Sequence, residues 1–313
     1  MKLDDAKAST AIVPDATPTH RSIRLADGRS MEVLLGGDPL GYPLVAHHGT
    51  PGEMNVFADW HLPCRARGLR LICASRPGYA NSTRKPGRSV SDVAADVAAL
   101  LHLLGHDRFL TVGWSGGGPH ALACAALLPD RCVAVATLGG VAAYAEGGLD
   151  FLAGMGAENV AEFGAAAAGE TELHRWMADH ADGYRAITGV ALADALGGLV
   201  PDVDRDALTG ELADRMAAAI RRATSRGFDG WIDDDLGFVR PWGFHIDAIR
   251  SPVTVWQGEL DLMVPLAHGR WLLQSIPGAA ARILPGQGHI SLVANFKPQV
   301  LDDLLSSVTR SAA

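Results

Sequence analysis

Residues 112–120 read "VGWSGGGPH", a single serine enclosed by glycines at the end of an apolar run. Two chemistries ask for such a pattern. Glycine-rich loops cradle phosphates, and glycines also let a strand turn into a helix so tightly that one side chain is left standing out. A P-loop requires G-x-x-x-x-G-K-[ST], with a lysine for the phosphates, yet no lysine or arginine follows Ser115 until Arg131. The dinucleotide fingerprint G-x-G-x-x-G requires glycine at the position Ser115 holds. Both phosphate readings fail on their own residues. Gly113-Trp114-Ser115-Gly116-Gly117 does match G-x-S-x-G between an apolar run and a helix-like segment, the setting of a nucleophile elbow. Glycines at 113 and 117 then reflect a strand and helix too close for a Cβ. The helix N-terminus behind Ser115 favours developing negative charge.

Outward from this stretch, strands alternate with helices. "SIRLADG" and "SMEVLLGG" read as a hairpin about Asp27-Gly28, followed by the strand "YPLVAHHG". "EMNVFADWHLPCRARG" reads as a helix and "LRLICAS" as a buried strand broken at Arg76-Pro77-Gly78. Ser89 caps a helix with Asp92 three positions on, an apolar face at Val93, Val97, Leu100 and Leu104, and a stop at Gly105. "RFLTVGW" and "CVAVATLGG" are further buried strands, with the helix "PHALACAALL" between them. From residue 141 to 246 the alternation gives way to Ala-, Gly- and acid-rich helical stretches such as "ENVAEFGAAAA", "ELHRWMADHA" and "RDALTGELADRMAAAIRRAT". It resumes with "SPVTVWQG", a helix over 267–275, "AARILPG" and a final helix over 297–309. The pattern predicts an α/β fold: a mostly parallel sheet with helices on both faces, and a helical insert. The expected division is a flexible segment at 1–20, a core at 21–140 and 247–313, and an insert at 141–246.

A serine hydroxyl needs a base, and the base needs an orienting carboxylate. In the elbow architecture they follow in the order Ser, Asp/Glu, His. "VTVWQGELDLMVP" delivers Asp261 past one strand and "ILPGQGHISL" delivers His289 past the next. Alone, Asp261 reads as a turn acid or helix cap and His289 as a loop histidine. Three correct residue types at three strand ends in the right order favour a triad. Glu259 is the reserve acid. An oxyanion hole needs two N–H donors, assigned here to Gly116 and to Thr50 in "HHGTPG" (47–52). His47-His48 lacks the H-E-x-x-H or H-x-H-x-D spacing of a metal site, and no metal or cofactor is expected. Trp114, Met263 and Trp242 are the candidate substrate-pocket residues, with Phe151, Leu152, Met155, Phe163 and Trp176 as apolar walls in the insert. The run Asp233-Asp234-Asp235 reads as a solvated helix end.

Bulk properties narrow the classes. A 313-residue chain that is 48% hydrophobic and 20% charged buries a sizeable core, and its net charge of −8 argues against nucleic acid. The four cysteines show no C-x-x-C pair, and most sit in apolar runs, as reduced core thiols do. The N-terminus has acids and prolines where a signal peptide has an apolar stretch, and no run of 18 or so apolar residues is present. A cytoplasmic monomer or homodimer with no membrane partner is expected.

With these motifs together the chain resembles the α/β-hydrolase superfamily. "HHGTPG" is similar to the oxyanion loop, "SRPGYANS" to the x-R-P-G-x-G-x-S turn, "GWSGGG" to the elbow, "GELDLMVP" to the G-x-x-D-x-x-V-P acid loop and "GQGHISL" to the histidine loop. Ser75 and Ala80 depart from the family's Asp and Gly. The resemblance implies an α/β-hydrolase fold with a helical cap inserted before the strand carrying the acid. Serine at 115 argues against the dehalogenase and epoxide-hydrolase branches. The expected function is a serine hydrolase cleaving a carboxylic ester or lactone of a small to medium organic substrate. The alternatives are a proline iminopeptidase-like aminopeptidase (whose branch needs carboxylates in the cap for the substrate amine), a C–C bond hydrolase, or a small-molecule receptor retaining the triad.

Overall fold

A computed structural model describes residues 17–144 and 147–311. In chain order the elements are β1 (Thr19–Arg24), β2 (Ser30–Gly37), β3 (Tyr42–His47), α1 (His61–Arg65), β4 (Leu69–Ala74), α2 (Val93–Leu103), β5 (Phe109–Trp114), α3 (Gly117–Leu127) and β6 (Cys132–Leu138). A helical stretch follows with α4 (Ala157–Ala168), α5 (Glu170–His180), α6 (Gly189–Ala195), α7 (Asp202–Ala207), α8 (Gly210–Ala223) and α9 (Asp229–Val239). The chain then closes with β7 (Val253–Gly258), α10 (Leu266–Ser275), β8 (Ala280–Leu284) and α11 (His289–Ser311).

The strands form one eight-stranded sheet in the order β1-β2-β4-β3-β5-β6-β7-β8. β1 and β2 run antiparallel to each other, β2 runs antiparallel to β4, and the pairs from β4–β3 through β7–β8 are parallel. Parallel strands covered by helices on both faces cannot alternate polar with apolar residues. Accordingly β5 (FLTVGW) and β6 (CVAVATL) are buried at every position, whereas the edge strand β1 (THRSIR) is largely exposed. Loops at the carboxyl ends of such a sheet form its natural crevice. Thr50, Ser115, Asp261 and His289 all lie just past such ends, those of β3, β5, β7 and β8.

The pattern-based reading holds for the sheet and needs correcting at several elements. Residues 1–16 of the segment expected to be flexible lie outside the described residues, while Thr19 and His20 already pair with Leu35 and Leu34. The helix expected over "EMNVFADWHLPCRARG" is a 3-10 turn, Met54–Trp60, running into the short α1. Glu53 fixes that turn by accepting from the Asn55 N–H at 3.1 Å. "RDALTGELADRMAAAIRRAT" is two helices, because Gly210 takes φ +52° and starts α8 afresh. The last helix begins at His289 rather than 297 and carries Pro298 inside it. Pro298 reads locally as a first-turn proline, but the first-turn amides of α11 are taken up by Asp204, 85 residues before His289. All four cysteines are buried and free. No described helix is long and apolar enough to cross a membrane.

β5 and α3 meet with no room for side chains at the joint. A Cβ on Gly113 would overlap the Gly117 carbonyl, and one on Gly117 would overlap the His47 carbonyl. Gly113→Ala is therefore expected to destabilise the fold by about 1–3 kcal/mol, the usual cost of overpacking a tight contact. It should be read as a lower urea midpoint at unchanged slope. An unchanged midpoint would contradict the close approach.

Candidate active site

Ser115 sits on the turn between β5 and α3 with φ +56°, a left-handed conformation that a non-glycine residue holds only under constraint. Two hydrogen bonds impose it: Ser115 N–H to the Leu138 carbonyl at 2.9 Å, and Gly118 N–H to the Ser115 carbonyl at 2.9 Å. The side chain is half-buried at the N-terminus of α3. A Cβ on Gly49 would stand 3.3 Å from that of Ser115, and one on Gly116 would overlap the Thr50 hydroxyl. The loop after β3 and the elbow are thus in contact. Among the described residues, no hydrogen bond engages the backbone N–H of Thr50 or Gly116.

The acid and base assigned from the sequence are in direct contact. His289 Nδ1 lies 2.7 Å from Asp261 Oδ2. The other oxygen, Oδ1, accepts from the Met263 and Val264 N–H groups at 2.9 and 2.8 Å, and Gln257 Nε2 donates to Oδ2 at 3.3 Å. This fixed acceptor calls for the proton on Nδ1 and leaves the Nε2 lone pair available. Burial pulls the imidazole pKa down, but the Asp261 carboxylate, with Asp204 behind it, outweighs that and holds it above the ordinary value. Trp114, next to Ser115, lies against the His289 ring at 5.5 Å between centroids. Gly139 completes the passage: a Cβ there would lie 2.8 Å from His289 Nδ1 and 3.0 Å from Asp261 Oδ2. Glu259, the reserve acid, is exposed.

The pocket residues fare unevenly. Met263 braces Asp261 through its amide, and its side chain packs against both halves of the core. Trp114 also lines a narrow cavity of about 20 Å³. Trp242 is buried against Phe244, and its carbonyl accepts from Ser91 N–H at the start of α2, so its contacts are those of a packing residue. Phe151, Met155 and Phe163 are buried core side chains, with Leu152 packed against them. A cavity of about 610 Å³ lies within the helical stretch and is lined by Glu158, Glu162, Trp176, Tyr184 and Leu199, among others.

The acidic run contradicts its sequence reading outright. Asp233, Asp234 and Asp235 are all buried. Asp234 receives Arg76 at 2.6 Å, Arg88 at 2.7 Å, the Tyr79 hydroxyl at 2.8 Å and the Thr50 hydroxyl at 2.7 Å. Arg76 also donates to the carbonyls of His48 and Gly49. Burial alone would raise the Asp234 pKa, but Arg76 and Arg88 hold it well below the carboxylate range. Asp233 pairs with Arg84 at 2.9 Å. Asp235 faces Glu162, and burial, reinforced by their mutual repulsion at Asp235, lifts both carboxyls above their ordinary values. Trp231 Nε1 donates to Glu162 at 2.5 Å, and no described N–H or O–H group donates to either Asp235 oxygen. Three consecutive aspartates look solvated only while the arginines that meet two of them, some 150 positions earlier, are unseen. The Arg76 of "SRPGYANS" was the available signal.

The other expected features resolve into structural roles. His48 Nε2 accepts from Arg76 N–H at 3.1 Å, so its Nδ1 donates to the Gly49 carbonyl. His120 Nδ1 donates to the Gly116 carbonyl at 2.8 Å, and His47 contacts Cys124. Burial depresses all three imidazoles, His47 to about 3, which keeps them neutral. Ala80, where the resembling family has glycine, keeps a left-handed φ of +49°.

A family model described as the alpha/beta hydrolase fold matches residues 42–180. The proline iminopeptidase of Xylella fastidiosa is 24% identical over 94% of this chain and 97% of its own length. An uncharacterized hydrolase of Bacillus subtilis, YcgS, is 27% identical over 106 residues, which span 36% of that protein. The structure of the esterase RhEst1 from Rhodococcus sp. ECU1013 superposes with a TM-score of 0.62 at 21% identity, covering 93% of this chain and 98% of the other. The chain has the α/β-hydrolase fold.

The Asp234 cluster ties α9 to the loop after β3 by charges that have left water. Removing one partner of such a cluster strands the others. Asp234→Ala is expected to cost about 3–5 kcal/mol, whereas Arg205→Ala, which breaks an exposed pair with Asp194, should cost under about 1 kcal/mol. Urea denaturation of both variants checks the contrast. Equal, small losses would mean the cluster is solvated.

Proposed function

We propose that the protein is a serine hydrolase that cleaves a carboxylic ester or lactone of a small to medium organic substrate. The observation that carries the reading is the His289 ring held by Asp261 at 2.7 Å, together with a serine kept at φ +56° on the turn after β5. His289 Nε2 takes the Ser115 proton as Oγ attacks the carbonyl carbon. Negative charge on the carbonyl oxygen is met by the Thr50 and Gly116 N–H groups and by the N-terminus of α3. Collapse of the tetrahedral intermediate expels the alcohol, which takes its proton from His289. Water deprotonated by the same imidazole then releases the acid from Ser115. Residues 141–246 act as the cap, whose buried Asp234 holds the Thr50 hydroxyl at 2.7 Å.

One observation favours a second reading, an aminopeptidase acting on a substrate with a free amine. Glu162 lines the large cavity and faces Asp235 in an apolar setting. With one of the two carboxyls protonated, the pair carries a single negative charge, the complement of an ammonium group, which is costly to desolvate without a partner. The proline iminopeptidases matched over nearly their full length point the same way.

Ser115→Ala should lower kcat by about 10⁴- to 10⁶-fold and abolish labelling by a fluorophosphonate. Labelling that survives the substitution would remove Ser115 from the mechanism. Because His289 acts as a base only when neutral and its pKa is raised, kcat/KM should rise with pH through a midpoint above the ordinary histidine value of 6.5. A midpoint at or below that value would contradict the Asp261 pairing.

The two substrate readings separate on bond type. p-Nitrophenyl esters of short acids are expected to turn over at least about tenfold faster, by kcat/KM, than proline p-nitroanilide, a preference of roughly 1.4 kcal/mol. The reverse ranking would establish the second reading. Glu162→Gln and Asp235→Asn would then lower anilide turnover and spare the esters.

A further inference from the structure

The helix that begins at His289 has no cap of its own. The residue before it is Gly288, which has no side chain to accept from the first-turn amides. A helix start left in that state exposes several unsatisfied N–H groups next to the imidazole. Here both oxygens of one carboxylate from a different part of the chain fill the gap. Asp204 Oδ2 accepts from the His289 N–H at 2.7 Å, and Oδ1 accepts from the Ser291 N–H at 2.8 Å. Asp204 is fully buried and belongs to α7, in the helical stretch between β6 and β7. Its own backbone is fixed in turn, with its N–H on the Pro201 carbonyl at 2.9 Å and its carbonyl receiving the Leu208 N–H at 2.9 Å.

The sequence "GQGHISL" is built around this carboxylate. A Cβ at Gly288 would overlap both Asp204 oxygens, so any larger residue there displaces them. Ser291 accepts from the Gly288 N–H through its hydroxyl at 2.8 Å, which closes the turn on the far side. A satisfied first turn is commonly worth about 1 kcal/mol as helix capping. A local serine or aspartate at position 288 would supply that, so capping alone does not require a residue from the insert.

We propose that Asp204 is a positioning residue for His289, through which the insert sets the orientation and basicity of the candidate base. This rests on His289 being the base, as proposed above. Asp261 holds the ring at Nδ1, and Asp204 holds the backbone of the same residue, so the imidazole is fixed at both ends. The charged groups acting on it are these two carboxylates, one from the loop after β7 and one from α7. Both favour the imidazolium that forms when Ser115 gives up its proton, while the N-terminus of α11 opposes it. Asp204 thereby offsets a helix dipole that would otherwise weaken the base.

The test is Asp204→Asn in the full chain. Asparagine keeps the size but loses the charge and turns one acceptor into a donor facing an N–H. With a p-nitrophenyl ester, kcat should fall by at least about tenfold while KM stays within about threefold. The acid limb of kcat/KM should move to lower pH. The His289 imidazole, followed directly by NMR titration, should move the same way, and that readout does not depend on turnover. Asp204→Glu, which keeps the charge, should return the titration toward that of the wild type. If Asp204→Asn does not fold, Gly288→Ala, which displaces the carboxylate from the other side, is read by the same titration with the same expected direction. An unshifted His289 titration in a folded variant, with kcat unchanged, would overturn the proposal. A wild-type enzyme without ester turnover would instead count against the hydrolase reading, and the titration would still decide the role of Asp204.

Discussion

Gly117 stands against the His47 carbonyl with no room for a Cβ, and Gly113 stands against Gly117 in the same way. Everything at the carboxyl end of the sheet follows from that contact. Because α3 starts so close to β3 and β5, the chain between them must turn at one residue, and Ser115 takes the left-handed conformation there. The loop after β3 is drawn against the elbow for the same reason. Thr50 and Gly116 are therefore neighbours, with the Thr50 side chain filling the space a Cβ on Gly116 would take. Gly139, at the end of β6, extends the principle: its bare backbone lets the Asp261–His289 pair pass.

The helical stretch is tied to this crevice by buried charge. Of the carboxylates it buries, Asp234 and Asp204 reach the loops that carry Thr50 and His289. Asp234 gathers Arg76, Arg88, Tyr79 and Thr50, and Arg76 carries the tie on to the His48 and Gly49 carbonyls. Asp204 takes the first-turn amides of α11. Buried charges of this kind gain little over an apolar substitute in stability, but they tolerate few alternative geometries. They make the position of the insert and the position of the two loops a single arrangement. The Glu162–Asp235 pair differs from both, since no cation meets it among the described residues. It is the feature that keeps an amine-bearing substrate in consideration.

The tight turn at Ser115, the sheet and the strand-end positions of Asp261 and His289 were legible in the sequence because each depends on local rules. G-x-S-x-G is forced by crowding within five residues, and the buried strands show themselves as unbroken apolar runs. Asp261 and His289 follow the strand ends that the same runs locate. What could not be read locally depends on partners far along the chain. The final helix was expected to start at residue 297, and nothing nearby showed that Asp204 caps it eight residues earlier. Asp233 to Asp235 looked solvated because an aspartate with no visible partner belongs in water. Asp233 and Asp234 are buried against Arg76, Arg84 and Arg88, which reach them only once the sheet has placed the loop after β4 beneath α9. Residue type and spacing thus determined the fold and which side chains stand past the strand ends, while the tertiary structure decided which charges leave water, because desolvation is set by the neighbours that folding supplies.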